Sequence, residues 1–290
     1  MQPETAVPVD ALHPLLLDPL LSGFLREDLG WGDLTSSLVL PPDVSCRAAA
    51  VFREAGVVAG LAVFRRVFHL VDPAIRVTDQ VLEGADIAAG QTVVILEGPA
   101  RSVMTGERVA LNLLQRMSAV ATLTRAWVRR LEGTRTRLLD TRKTTPGLRT
   151  LERHAVRVGG GRNHRFCLSD AVLIKDNHIA ICGSIREAVA RARAGLPLAA
   201  PIEVEVETLP QLEEALAAGA DMIMLDNMDD ELVAQAVVLV AGRIPLEASG
   251  GISLERLASL GRTGVDHVSA GALTRQAGFL DIALDIVTAA

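Results

Sequence analysis

From Gly133 onward the chain repeats one rhythm, a short β-like apolar run followed by a helical stretch. The runs are LLDT at 138–141, AVLI at 171–174, IEVEVE at 202–207, MIML at 222–225, LEA at 246–248 and HVS at 267–269. Helical patterns fill the gaps at about 148–157, 184–194, 209–218, 229–241 and 253–261. Strand, helix, strand at spacings of roughly 20–33 residues specifies right-handed βαβ units and a parallel sheet. The repetition favours a closed barrel over an open sheet. A full barrel of this kind has eight strands, and six are visible. The expectation is therefore an α/β chain ending in an incomplete, six- or seven-stranded parallel barrel, or one with unrecognised strands.

The first hundred residues are patterned differently, as an α+β module. Residues 1–14 are Pro-rich and expected to be mobile, and Pro14–Arg26 carries a short apolar helix. LREDLGWGDLTSS reads as a loop, in which Asp28 and Asp33 serve turns and helix caps or a function. Strand-like CRAAAVFREAGVVAG and IRVTDQVLEG flank a helix near Leu61–Leu70, and Gly84, Gly90 and Gly98 punctuate further β segments. A long helix is expected from Thr105 to about Glu132, with Thr105 as N-cap. Arg108 would then sit in the first turn, where a guanidinium and unpaired N–H groups suit an anion. The expected division is an α+β domain over 1–115 and a barrel over 116–275, with 276–290 free to pack back on the first domain.

Composition excludes several function classes. The net charge is −6 and aromatics are 3% with no Tyr, which argues against a nucleic-acid or membrane surface. Cys46, Cys167 and Cys182 lack C-x-x-C spacing, so neither a disulfide framework nor a zinc site is expected. With no signal-like start and no apolar run of about 18 residues, the expected location is the cytoplasm.

In a barrel, chemistry gathers where the strands end. Those positions hold Arg142 and Lys143; Lys175 and Asp176; Glu205 and Glu207; Asp226 and Asn227; Ser249, Gly250 and Gly251; and Ser269, Ala270 and Gly271. Of 29 basic residues only two are lysines, Lys143 and Lys175, and both fall at strand ends. A compact ammonium that can lose its proton differs from a guanidinium, so stray surface lysines are the weaker explanation. The window 138–178 is cationic within an acidic chain. Glycine-rich ASGGIS and SAGAL suit a phosphate after the last two strands, or are ordinary tight turns. Glu205 and Asp226 could hold Mg²⁺, accept from sugar hydroxyls or form an acid/base pair. Arg142, Arg162 and Arg165 offer forks for carboxylates, brought in by the GGGRNH loop at 159–164. One set of the Glu203/Glu205/Glu207 alternation must face inward or a helix, a costly burial unless paired. The expected ligands are a phosphorylated sugar and a small carboxylic acid.

GERVALNLLQRMSAVAT, DTRKTTPGLR, HAVRVGGGRNHRF, AVLIKDNHI, IEVEVE and EASGGI, in this order, resemble the quinolinate phosphoribosyltransferases, the carboxylating nicotinate-nucleotide pyrophosphorylases. The likeness covers nearly the whole chain, including EDLGWGDLTS; Ala119 stands where the family usually has Gly. The resemblance implies an N-terminal α/β domain, an incomplete barrel and a homodimer with a shared active site. It implies phosphoribosyl transfer from phosphoribosyl pyrophosphate to quinolinate, with Mg²⁺, giving nicotinate mononucleotide, pyrophosphate and CO₂. Carried over by position, Arg142, His164 and Arg165 hold the quinolinate carboxylates, joined by Arg108 of the neighbouring subunit. Thr141 belongs to the same substrate-binding set. Lys143 and Lys175 lie over the pyrophosphate and the reacting centre. Glu205 and Asp226 contact ribose hydroxyls and metal, and Ser249–Gly251 and Ser269–Gly271 hold phosphate. Three readings compete: a related barrel family linked to molybdate transport, a Schiff-base aldolase using Lys175, and a non-enzymatic anion-binding protein.

Overall fold

The computed structural model describes residues 12–289, so the expectation for residues 1–14 falls largely outside the described residues. Two compact units emerge, and they do not follow one cut in the sequence. The first comprises Met1–Leu123, Thr145–Gly159 and Ala277–Ala290; the second comprises Thr124–Thr144 and Gly160–Gln276.

In the first unit, α1 (Pro14–Leu29) begins with a proline in its first turn, where the missing N–H costs nothing. The expected loop around Gly30 is shorter than its composition suggests, because Asp33 caps a further helix, α2 (Leu34–Val39), accepting the Ser36 N–H at 2.9 Å. Next come β1 (Ser45–Phe52), β2 (Gly56–Val57), α3 (Leu61–Val71), β3 (Arg76–Asp79), β4 (Asp86–Ile87) and β5 (Thr92–Pro99). The α3 N-terminus has no cap of its own; Glu83 accepts the Gly60 and Leu61 N–H groups at 2.6 and 3.0 Å. Leu61, Val63, Phe64, Val67 and Phe68 bury its apolar face.

The long helix α4 (Ala100–Arg129) starts five residues earlier than expected, directly after β5. The Ala100 N–H donates to Val44 O at 2.8 Å, so the helix needs no hydroxyl cap. Thr105 lies inside the helix and donates to Asp33 Oδ2 at 3.1 Å. Arg108 is consequently in the third turn, and the anion site expected at the helix start is not formed.

The chain continues through β6 (Arg137–Leu139), α5 (Arg149–Val158), β7 (Val172–Ile174), α6 (Asp176–Cys182), α7 (Ile185–Gly195), β8 (Ile202–Val206), α8 (Leu209–Ala217), β9 (Met222–Asp226), α9 (Asp230–Val240), β10 (Leu246–Ser249), α10 (Leu257–Thr263), β11 (His267–Ser269), α11 (Ala272–Arg275) and β12 (Ile282–Ala289). The last strand returns to the first unit and pairs antiparallel with β1 in a four-stranded sheet ordered β12-β1-β5-β3. Within that unit α5 supplies Glu152, which is fully buried and accepts from Arg116 Nε (3.0 Å) and Nη2 (2.7 Å) and from the Thr145 N–H and hydroxyl (3.0 and 2.7 Å).

The second unit is built on six parallel strands ordered β6-β11-β10-β9-β8-β7. The sheet does not close: β6 and β7 are its edges. Arg162 makes one parallel bridge with Leu139 beside β6, a single residue where a further strand would lie. The chain between β6 and β7 passes through α5 rather than completing more βα units, so the barrel is incomplete. Local capping explains the helices: Ser184 starts α7, a Thr208/Gln211 box starts α8 and Asp229 starts α9.

Candidate active site

At the C-terminal ends of these strands a cleft of about 380 Å³ opens within the second unit. Thr141, Arg142 and Lys143 enter from the end of β6, and His164 and Arg165 from the loop before β7. Lys175 follows β7, Glu205 stands on β8 and Asp226 ends β9; Ser249, Gly250 and Gly251 follow from β10, and Ser269 from β11. Both lysines therefore line one cleft with the two expected acids.

Six residues named from the sequence as strand-end or anion-binding positions do not line it; two of them, Asp176 and Glu207, are exposed. Ala270 is buried, and its N–H is spent on Leu139 O at 3.1 Å, so it offers no donor to a phosphate. Gly271 instead makes room: a Cβ there would lie 2.9 Å from Lys143 Cδ. Arg162 has an exposed side chain, its backbone held against β6. Arg108 borders a separate concavity of the first unit, with Asp28, Asn112 and Leu148.

Asn227, named beside Asp226, lines it too, and the structure adds Leu173, Met224 and Glu247. All three additions obey the two-residue period of a strand. Leu173 lies two residues before Lys175, Met224 two before Asp226 and Glu247 two before Ser249, each sharing the face of the strand-end residue. Counting back by two from every strand end would have found them.

Lys175 Nζ donates to Glu205 Oε2, joining the ends of neighbouring strands β7 and β8. The Lys143 backbone is clamped, its N–H by Thr141 Oγ1 at 3.1 Å and its carbonyl by the Thr274 hydroxyl at 2.7 Å. Arg165 Nη1 donates to Ala171 O at 2.9 Å. Burial, then the nearby Arg142 charge, lowers the Arg165 pKa.

Deeper in the sheet, His164 Nε2 lies 3.0 Å from Glu203 Oε2 and 3.2 Å from Glu247 Oε2. Burial alone would lower the His164 pKa, but these two carboxylates outweigh it and raise the value to about 10. The Arg165 N–H approaches Nδ1 at 2.7 Å and favours a lone pair there. A ring protonated at Nε2 meets both demands, facing the acids with its N–H and accepting at Nδ1, and the two carboxylates favour a second proton. Glu247 is fully buried, and burial foremost raises its pKa. Asp140 holds the loop itself, accepting the His164 N–H at 2.9 Å and Asn163 Nδ2 at 2.5 Å. The inward Glu203 of the β8 alternation is thus paired, as a buried carboxylate must be.

An incomplete parallel α/β barrel whose strand ends set four cations against two acids in one cleft defines an enzyme for phosphorylated, anionic substrates. Comparison with known proteins makes this specific. A family model described as quinolinate phosphoribosyl transferase, C-terminal domain, matches residues 120–285, and its N-terminal-domain counterpart matches residues 33–118. A relative from Bacillus subtilis (strain 168), named "Probable nicotinate-nucleotide pyrophosphorylase (carboxylating)", is 46% identical over 275 residues, covering 95% of each chain. The crystal structure of NadC from Streptococcus pyogenes is 44% identical with a TM-score of 0.91, covering 96% of this chain and 99% of that one. The nicotinate-nucleotide pyrophosphorylase structure from Francisella tularensis is 37% identical with a TM-score of 0.89, covering 97% and 98%. The chain belongs to the quinolinate phosphoribosyltransferase family. These relatives do not favour the aldolase or molybdate-linked readings.

Proposed function

We propose that this chain transfers the phosphoribosyl group of phosphoribosyl pyrophosphate to the ring nitrogen of quinolinate, releasing pyrophosphate and CO₂ and forming nicotinate mononucleotide. The observation that carries the reading is one cleft lined by Arg142, Lys143, Arg165 and Lys175 together with Glu205 and Asp226, with Lys175 and Glu205 in direct contact. Arg142, His164 and Arg165 receive the pyridine carboxylates, with Thr141 beside them. As the bond from ribose C1 to pyrophosphate breaks, Lys143 and Lys175 stabilise the departing anion, while Glu205 and Asp226 accept from ribose hydroxyls and tolerate cationic character at C1. The ring nitrogen closes on C1. Loss of the 2-carboxylate as CO₂ leaves an electron pair beside a positive ring nitrogen, stabilised by an ammonium until the carbon takes a proton. Ser249, Gly250, Gly251 and Ser269 hold phosphate oxygens.

Mg²⁺ fits this acid pair. Lys175 takes Glu205 Oε2 and Asn227 takes Asp226 Oδ2, so one oxygen of each carboxylate remains for a hard cation that keeps water and substrate oxygens as its other ligands. Bound there, it would neutralise pyrophosphate charge. We also propose a homodimer in which Arg108 serves the partner's cleft. Arg108 is half-exposed in its own chain, and Trp31, Leu34, Leu38 and Val39 form exposed apolar surface that a second copy would cover. Among the described residues no helix is long and apolar enough to cross a membrane; we place the enzyme in the cytoplasm. Incubation with quinolinate, phosphoribosyl pyrophosphate and Mg²⁺ should release CO₂ and pyrophosphate together. Absence of turnover with both quinolinate and nicotinate overturns the assignment.

A further inference from the structure

Among the described residues only Asn227 and Ala241 hold a left-handed backbone without being glycine. Ala241 ends helix α9, where that conformation is ordinary. Asn227 does not end a helix. It follows β9 directly, stands on the cleft wall and has φ +55°. Strained backbone beside a reaction site invites a functional explanation.

Three contacts surround it. Its N–H donates to Ser249 O at 3.0 Å, tying the end of β9 to the end of β10. Its side-chain Nδ2 donates to Asp226 Oδ2 at 2.6 Å. Its carboxamide also lies over Gly250, where a Cβ would meet Asn227 Oδ1 at 2.2 Å, Cγ at 2.6 Å and the backbone N at 2.8 Å. Gly250 itself has φ +82°. The two strand-end turns therefore interlock, carboxamide against bare backbone, and a side chain at Gly250 cannot be added without moving Asn227.

We infer that Asn227 is a positioning residue for the phosphoribosyl half of the site: its left-handed backbone and carboxamide fix the Asp226 carboxylate against the Gly250 turn. This rests on the proposed reading of the cleft. All three contacts lie at the ends of β9 and β10, whereas the cations come from β6, β7 and the loop at 164–165. Its removal should disturb the sugar and phosphate side and leave quinolinate capture intact. The bland alternative is that asparagine is there only because it tolerates a left-handed backbone. Glycine does so at least as well, and the two explanations separate on that substitution.

The experiment uses the full chain with Asn227→Gly and Asn227→Asp. Steady-state kinetics would be run for both substrates, with equilibrium binding of quinolinate and thermal melts. Asn227→Gly should melt close to wild type and bind quinolinate within about twofold of wild type, yet lose at least about tenfold in kcat/KM for phosphoribosyl pyrophosphate, the scale of a hydrogen bond to a charged group. Asn227→Asp keeps the shape, removes the donor and sets a like charge beside Asp226, so it should lose more. Wild-type kinetics in Asn227→Gly, or an equal loss of quinolinate binding, overturns the proposal. A second measurement needs no turnover. Gly250→Ala should lower the melting temperature less in the Asn227→Gly background than in wild type, because part of the clash is gone. Additive losses overturn the interlock. Should wild type itself fail to turn over, the proposed reaction falls and the melts alone judge the interlock.

Discussion

Lys175 and Glu205 are paired across neighbouring strand ends, the ammonium donating to Oε2 of a carboxylate that is only 12% exposed. The pair sets a compact cation at a defined point of the cleft. A Lys175→Arg variant keeps the charge but replaces the point donor with a planar fork that needs more room. We expect an intact fold by circular dichroism and a loss of roughly 100-fold in kcat, the scale of removing one preorganised electrostatic group. Near-wild-type turnover would contradict the role given to Lys175.

The His164–Glu203–Glu247 cluster makes stability depend on pH. The His164 pKa rises from 6.5 to about 10 on folding. A raised folded-state value contributes stability that is complete below about 6.5 and is lost as pH climbs through about 10. Melting temperatures measured between pH 6 and pH 10.5 should therefore fall more steeply for wild type than for His164→Gln. Parallel curves would show that the ring is not charged in the native state.

Glu152 sits at 0% exposure and is held by Arg116 and Thr145. Glu152→Ala leaves the Arg116 guanidinium without its buried counter-charge. Breaking such a pair costs about 3–5 kcal/mol, which denaturant titration would register as a shifted midpoint with an unchanged slope. A loss below about 1 kcal/mol would mean the pair is hydrated.

Arg108 bears on the proposed shared site. Arg108→Ala and Lys175→Ala should each be nearly inactive alone. Mixed under conditions of demonstrated subunit exchange, they should regain activity, because a heterodimer carries one intact cleft. No recovery in proven heterodimers removes Arg108 from the partner's site.

Much of this was legible in the chain. All six strand runs of the second unit were placed to within one or two residues, since short apolar segments bounded by turn residues carry their own signal. Strand ends named Arg142, both lysines and the two acids of the cleft for the same local reason, and the glycine-rich loop named Arg165. The start of α4 was misplaced because Thr105 is a good cap in isolation, while the true start is satisfied by Val44, a residue of another segment. Arg162 looked like a ligand by charge and loop position, but its backbone was claimed by the β6 edge. Glu247 went unnamed because LEA offers one charged residue in an apolar run, and its worth lies in a histidine more than eighty positions away.

By itself the sequence determined the order of elements, the parallel βα rhythm and which chemistry stands at each strand end, because hydrophobic period and turn preference act between near neighbours. Only the tertiary structure decided that Glu203 and Glu247 meet at His164, that Asn227 lies over Gly250, and that residues 145–159 leave the barrel for the first unit. Those relations join distant residues through strand register and packing, and no local pattern in the chain encodes which face meets which.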